Sequence, residues 1–437
     1  MWWPDRALSN RAQWLRNADY KSKVGMVMDV IAKRQDLLRA LIRYVEAKLL
    51  IGGVTSGQGM VTKYGGRPLF RGLVRNFEQP DDPSLLAVRH KITDLKPTEI
   101  EAFRRALQSG ARMLFHLAEG TDARAQAQFT LLADNGLLAL NLVGIHSLGL
   151  TDADLDKLAA TKGGVVWSPL SNTLLYGRTL DPAALARTGI RFALGSDWTP
   201  SGSRNILCEM KVASIIAAAS GAPLQPRKLA LAVTREAMKL AGWHEKLGII
   251  APGYYADLTI VAARQDADPY AHLLAATEAD VRLVVVAGHA RYGDTALMEA
   301  AVLDSARFER LQVGGRPKAL DLHHPASLIN GISLESARKM LAEALADLPA
   351  AREAAALQPL DNGPKIEIEF ELHELEAELA AEGGDIVPLA DAVLPKSVPL
   401  DPLTLIDDPA FWSLIDGIAH LPTSLKGGAG LRRYYSP

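Results

Sequence analysis

The 437-residue sequence contains a single cysteine, Cys208. One thiol excludes an intramolecular disulfide framework and argues against a cysteine-based zinc cluster. A chain of this length buries enough core to need neither. Charge of one sign is also missing: 48 Lys and Arg stand against 50 Asp and Glu, for a net charge of −2. That balance removes any global electrostatic reason to bind nucleic acid or an anionic membrane. The sequence has no apolar run of about 18 residues, the length that would span a bilayer. Its opening, MWWPDRALSNRAQWLR, lacks the charged-then-apolar order of a signal peptide, so a cytoplasmic location is expected. Neither GxGxxG nor a P-loop occurs, which disfavours a nucleotide-dependent enzyme. No His-x-His is present, and there is no short internal repeat.

What the sequence does have is a regular alternation of strand and helix signals. Thr98 with Glu101 reads as a capping box for a helix through Leu107, stopped by Gly110. Arg112–Phe115 follows as a buried strand, then a helix over 122–133, then a strand within Leu137–Ile145. Thr151 with Asp154 opens the next helix, Gly163 and Gly164 end it, and Val165–Trp167 is again a strand. Asp181 followed by Pro182 is an N-cap with proline at the first helical position. Gly189 closes that helix before the strand Arg191–Leu194. Such repetition argues for parallel βα units. Upstream, Leu49–Thr55, Pro68–Phe77 and Leu86–Ile92 are candidate strands, giving seven, while residues 24–48 read as helix. Downstream, helices are expected over 206–219 and 227–240, followed by β segments at 253–261 and 281–292. Ser333 opens a helix with Leu334, Ala337, Leu341 and Leu345 on one face. Ile366, Ile368, Phe370 and Leu372 alternate as in a half-buried strand. The proline-rich stretch 383–402 reads as an extended linker.

A doubly wound sheet would carry a glycine-rich phosphate turn after its first strand, and none is found. A (β/α)8 barrel instead places polar functional residues at the C-terminal ends of several strands. His116, His146, Ser168 and Asp197 stand at four successive strand ends. Taken singly, His116-Leu-Ala-Glu119 could be a capped helix start, His146 a satisfied core histidine and Asp197 an N-cap. Taken together, they converge on one point at the barrel mouth. Imidazole is a good zinc ligand, and a nearby carboxylate can move protons to and from activated water.

These motifs resemble the amidohydrolase superfamily, and most closely its branch of triazine chlorohydrolases, guanine deaminase and cytosine deaminase. His116-Leu-Ala-Glu119-Gly is similar to the strand-five signature of that branch. Trp167-Ser-Pro-Leu-Ser-Asn172 is similar to its strand-seven segment, and Gly195-Ser-Asp197 to its strand-eight motif. The segment Ala232–Ala237, with Leu247-Gly248, Ala251–Gly253 and Ala256–Leu258, resembles its return into a β-sandwich. The resemblance implies a metal-dependent hydrolase of a non-peptide C–N bond, either a deaminase or a cyclic amide or amidine hydrolase. It implies one divalent ion, zinc or iron, with His116 and Asp197 as ligands and Asp197 also accepting a proton from the attacking water. Glu119 would pass that proton to the leaving group, and His146 would polarise the substrate or lie near the metal. Ser168 and Asn172 would contact substrate or form a turn, and loop residues such as Tyr176, Arg178 and Trp198 would set specificity. The implied partners are a small-molecule substrate and a second copy in a homodimer, with no nucleic acid or membrane. Lys91 is expected at the surface.

The sequence departs from this pattern at its start. The His-x-His pair that the family carries on strand one is missing, as are strand one itself and the early sandwich strands. The expectation is therefore a (β/α)8 barrel lacking its first strand over residues 1–245, a small β-sandwich remnant over 246–294, and an α+β C-terminal extension over 295–437 packed on the barrel. Such a chain would begin inside the fold, and a two-ligand site would hold metal weakly. The alternative function is a non-catalytic relative acting as a binding or scaffold protein.

Overall fold

The computed structural model describes every residue except 1, 60, 66, 264–267, 303, 357–365, 369–376, 379, 381–388 and 436–437. Seven short parallel strands run through the first half of the chain, with an antiparallel pair (Thr62–Tyr64 and Arg67–Pro68) between the first two: β1 (Ser56–Gly57), β2 (Arg75–Asn76), β3 (Arg89–Lys91), β4 (Met113–Leu117), β5 (Leu142–His146), β6 (Gly164–Trp167) and β7 (Arg191–Leu194). Strands β3 to β7 form one parallel sheet in chain order. β1 and β2 make a second parallel pair, and the Val88 N–H donates to the Phe77 carbonyl (2.8 Å), tying the end of β2 to the start of β3. Helices Ile100–Gln108, Ala123–Asp134, Asp152–Ala160 and Pro182–Thr188 separate the strands of the sheet. This is the order of a (β/α)8 barrel, with seven strand positions among the described residues.

The local chemistry explains these boundaries. The Asp122 side chain caps the N–H of Ala125. Thr151 and Asp154 exchange the two bonds of a capping box. Asp181 caps a helix that begins at Pro182 and ends at the left-handed Gly189. Phe115, Phe129, Leu142, Leu158, Val165, Trp167 and Phe192 fill the core between sheet and helices.

Several sequence expectations need correction. The candidate strand Pro68–Phe77 is extended only near its ends, at Arg67–Pro68 and Arg75–Asn76. Leu49–Ile51 are helical, because α1 (Gln35–Ile51) continues the apolar stripe of Leu37, Leu38, Ile42, Leu50 and Ile51; extended structure resumes only at Ser56. The helix expected to start at Thr98 begins at Ile100 instead, after a single 3₁₀ turn (Pro97–Glu99) in which Glu99 accepts the Lys96 N–H (2.9 Å). The 227–240 segment is two helices, Pro226–Ala232 and Arg235–Ala241, broken at Thr234.

Beyond the parallel strands lies a five-stranded antiparallel sheet of β8 (Leu258–Val261), β9 (Val281–Val286), β10 (His289–Asp294), β11 (Glu309–Val313) and β12 (Arg316–Leu320), in the order β8-β9-β10-β12-β11. It thus runs on past residue 294. A second core, including Val281, Val284, Tyr292 and Leu320, joins it to α1 and to a helix at Leu334–Ala346. That helix buries Leu334, Ala337, Leu341 and Leu345, the face read from the sequence. Buried Arg43 pairs with Glu46 (3.0 Å) and donates to the carbonyls of Leu322, Ile329 and Ile332. Ile366–Ile368 pairs antiparallel with Thr62–Tyr64; Phe370 and Leu372, the rest of that alternation, lie outside the described residues, as does the 383–388 part of the expected linker.

The C-terminal residues pack into the barrel core. The helix Ile206–Ala219 buries residues on all sides, as expected of a helix apolar all round. Leu405, Phe411, Trp412, Ile415, Leu421 and Leu431 share its hydrophobic cluster. Arg204, nearly buried, anchors the same segment through ion pairs with Asp401 and with Asp408 (3.0 Å). No described helix is long and apolar enough to cross a membrane.

Candidate metal centre at the strand ends

His116 is the fourth residue of β4, and His146 is the last residue of β5. The strands are in register so that Leu117 faces His146. At or soon after the ends of β4, β5 and β7 the backbone turns through left-handed space: Ala118 (φ 50°), His146 (65°), Ser147 (53°) and Asp197 (61°). Non-glycine residues rarely occupy this region, and such outliers gather where a site over-determines them. Here the sharp turns bring the side chains of successive strands toward one point.

The arrangement is tight. One ligand atom from each of His116, Glu119 and His146 lies within 4.8 Å of the others. His146 Nε2 is 3.8 Å from Glu119 Oε2 and 3.9 Å from Asp197 Oδ2. His146 is buried and Glu119 nearly so, while the Asp197 side chain is 18% exposed. His116 Nδ1 and Glu119 Oε2 are buried without a hydrogen-bond partner. Unsatisfied buried acceptors cost on the order of 1–3 kcal/mol each, so a concentration of them demands an explanation. A cation is the species that this donor set fits.

The surrounding groups set the tautomer and the charge. Trp167 Nε1–H and the Asn172 amide both donate to Thr179 Oγ1 (2.7 and 3.1 Å). The Asn172 oxygen therefore faces His146 Nδ1 (2.9 Å) and accepts its proton, leaving Nε2 directed at the carboxylates. Such a bond on the far nitrogen is what orients a ligating imidazole. Burial opposes a charge on His146, but Glu119, Asp197 and Asn172 outweigh it and hold its pKa above the ordinary histidine value. Burial, and then the neighbouring His146, push His116 well below that value. Ser171 donates to Asp197 Oδ2, and the Trp198 N–H donates to Oδ1 (2.7 Å).

The structure therefore gathers His116, Glu119 and His146, with Asp197 joining them through its approach to His146 Nε2. It does not bring Ser168 and Asn172 to an open face. Ser168 is buried beside Gly195, and both ends of the Asn172 amide are spent on His146 and Thr179. The reason is the helix Pro169–Tyr176, which begins directly after β6 and packs wholly inside. Tyr176 is buried too, whereas Trp198 is exposed. Lys91 is half-buried rather than at the surface; its side chain bonds Thr93 (2.7 Å) and pairs with Glu99 (3.2 Å).

Two parts of the site were not foreseen. One is the N-terminal segment, which crosses the strand-end loops: Trp2 N–H reaches the Pro200 carbonyl, Leu8 N–H reaches Leu175 (2.8 Å), and Thr121 N–H reaches Ser9 (2.6 Å). Gly120 permits this crossing, since a Cβ there would lie 2.6 Å from the Ser9 carbonyl. The other is Glu209, fully buried below the site, which accepts the Leu170 N–H (3.1 Å) and the Ser203 hydroxyl. Burial raises its pKa to about 8, with Asp197 adding to the rise. The folded protein then holds a proton that the unfolded chain releases near pH 4.5, so stability falls as pH rises from about 5 to 8, by roughly 1 kcal/mol per unit. Denaturant titrations across this range should show that fall, and Glu209→Gln should flatten it; an unchanged slope would exclude Glu209 as its source.

Comparison with known proteins agrees with the motifs. The amidohydrolase family profile matches residues 89–291. A 5-methylthioadenosine/S-adenosylhomocysteine deaminase from Pelotomaculum thermopropionicum is 30% identical over 199 residues, 42% of this chain and 46% of that protein. One of the same name from Nitratidesulfovibrio vulgaris is 33% identical over 196 residues, 41% and 44% of the two chains. The chain thus spans less than half the length of these curated relatives. Among solved structures, a zinc-bound adenosine deaminase from Xanthomonas campestris superposes with a TM-score of 0.52 at 20% identity, over 67% of this chain and 81% of that one. Atrazine chlorohydrolase from Arthrobacter aurescens TC1, complexed with zinc, gives 0.52 at 18% identity, over 65% and 78%. At these identities the likeness is one of fold.

Proposed function

We propose that the chain, whose residues 89–291 match the amidohydrolase family profile, is a metal-dependent hydrolase of a non-peptide C–N bond in a small molecule. The observation that carries this reading is the cluster of His116, Glu119 and His146, with two buried donor atoms lacking partners. His116, His146 and Asp197 are the residues that would hold the ion, and zinc suits two imidazoles and a carboxylate. When bound, such an ion makes water a nucleophile at neutral pH.

The rest of the reaction falls to the protein. Asp197 accepts a proton from the attacking water, kept in place by Ser171. Glu119 takes up that proton at Oε2, which faces His146, and passes it to the departing nitrogen. Asn172 fixes the His146 ring. The buried strand ends exclude bulk water, which strengthens each of these electrostatic effects. Deamination of an amino group on a heteroaromatic ring is the favoured chemistry, supported by the names of the curated relatives.

The test is a panel of 5-methylthioadenosine, S-adenosylhomocysteine, adenosine and atrazine, offered to zinc-loaded protein while ammonia and chloride release are measured. Ammonia from at least one aminopurine is expected. Zinc-loaded protein that is folded and inert toward the whole panel would favour the scaffold reading.

A further inference from the structure

Glu119 has two carboxylate oxygens with different surroundings. Oε2 is buried, unpartnered and 3.8 Å from His146 Nε2. Oε1 accepts a hydrogen bond from the Tyr176 hydroxyl at 2.6 Å. That hydroxyl has one proton to give, and a second contact decides where it goes. Trp14 Nε1–H donates to the Tyr176 oxygen at 3.2 Å. Indole is only a donor, so the tyrosine proton is free to point at Glu119.

Each member of this relay is itself held. Tyr176 is the last residue of the helix Pro169–Tyr176 and is buried in a cluster with Trp2, Tyr20, Val24, Leu148 and Leu175. It stands one helical turn beyond Asn172, so one helix face serves both His146 and Glu119. Trp14 sits edge-on to Tyr20, with ring centroids 4.8 Å apart. Its helix, Arg11–Leu15, follows an N-terminal segment pinned to the loop after β4 by the Arg11 N–H to Glu119 carbonyl bond (3.3 Å) and by an Asn10–Gly120 bridge.

We propose that Tyr176, its hydroxyl oriented by Trp14, is a positioning residue that holds Glu119 with Oε2 turned toward His146, and that the N-terminal segment is therefore part of the site. The proposal rests on the proton-carrying role of Glu119 only for its consequence in catalysis; the positioning itself is a statement about geometry. A carboxylate anchored by one oxygen loses little freedom when it transfers a proton through the other, which is how an outer partner raises efficiency without touching substrate.

The experiment uses Tyr176→Phe and Trp14→Phe in the full chain. Both keep an aromatic ring, so the packing of the cluster and the thermal midpoint should hold to within a few degrees. A crystal structure of Tyr176→Phe should show Glu119 rotated away from His146 Nε2 or spread over several rotamers. On the best substrate of the panel above, kcat should fall about 10–100-fold with KM unchanged. Trp14→Phe, which frees the hydroxyl without removing it, should fall about tenfold or less. Glu119 keeping its place in the phenylalanine variant, or full kcat in an active protein, would overturn the proposal. If the parent turns over nothing on the panel, the catalytic reading fails by itself and the crystallographic result still decides the positioning.

Discussion

Glu119→Gln is expected to lower kcat by about 10²–10⁴-fold, the range over which a positioned acid or base contributes, while the protein keeps its bound metal. The substitution preserves shape and the ability of one terminal atom to accept from Tyr176, but removes the proton that Oε2 would carry. KM should change little, because the step affected follows binding. The measurement pairs steady-state kinetics with metal analysis of the same preparation. Full activity would remove Glu119 from proton transfer. Loss of metal together with activity would reassign it as a ligand, which its 3.8 Å approach to His146 Nε2 makes a definite alternative.

The second large effect concerns stability. Phe411 is fully buried in the main core, edge-on to Trp412 with ring centroids 5.1 Å apart, and it faces the Arg204 guanidinium at 5.8 Å. Phe411→Ala should destabilise the protein by about 3–5 kcal/mol, the usual cost of truncating a buried aromatic. The loss should appear in the same unfolding transition as the barrel, because Phe411 shares a cluster with Trp167 and Phe192. A variant that melts in two steps, with the barrel transition unmoved, would show instead that the C-terminal segment is an independent appendage.

These two expectations differ in how much of their basis is visible in the sequence. His116, Glu119, His146 and Asp197 each follow a short apolar run, and parallel strands carry such residues to one rim, so their meeting could be read from spacing alone. Caps with a chemical signature were equally plain: Thr151 with Asp154, and Asp181 with Pro182. Other signals are ambiguous in the sequence itself. An apolar run such as Leu49–Ile51 suits strand or helix, and only the continuing stripe on α1 decides between them. Ser168 and Asn172 sit in a motif near the site, but whether a polar side chain meets substrate or another side chain depends on packing. Hardest of all are contacts between distant residues. Trp14 and Tyr176 are 162 positions apart, and Arg204 meets Asp408 across 204; nothing local in either stretch marks its partner. Tyr176 alone left a trace, four residues after Asn172 on the same helix.

Metal binding decides whether these strand ends form a metal centre: the parent and a His116→Ala/His146→Ala variant are each saturated with zinc, dialysed and analysed. About one zinc per parent chain and none in the variant is expected, with both still folded by circular dichroism. Equal zinc in the two proteins, or a folded parent that retains none, would contradict a metal centre there.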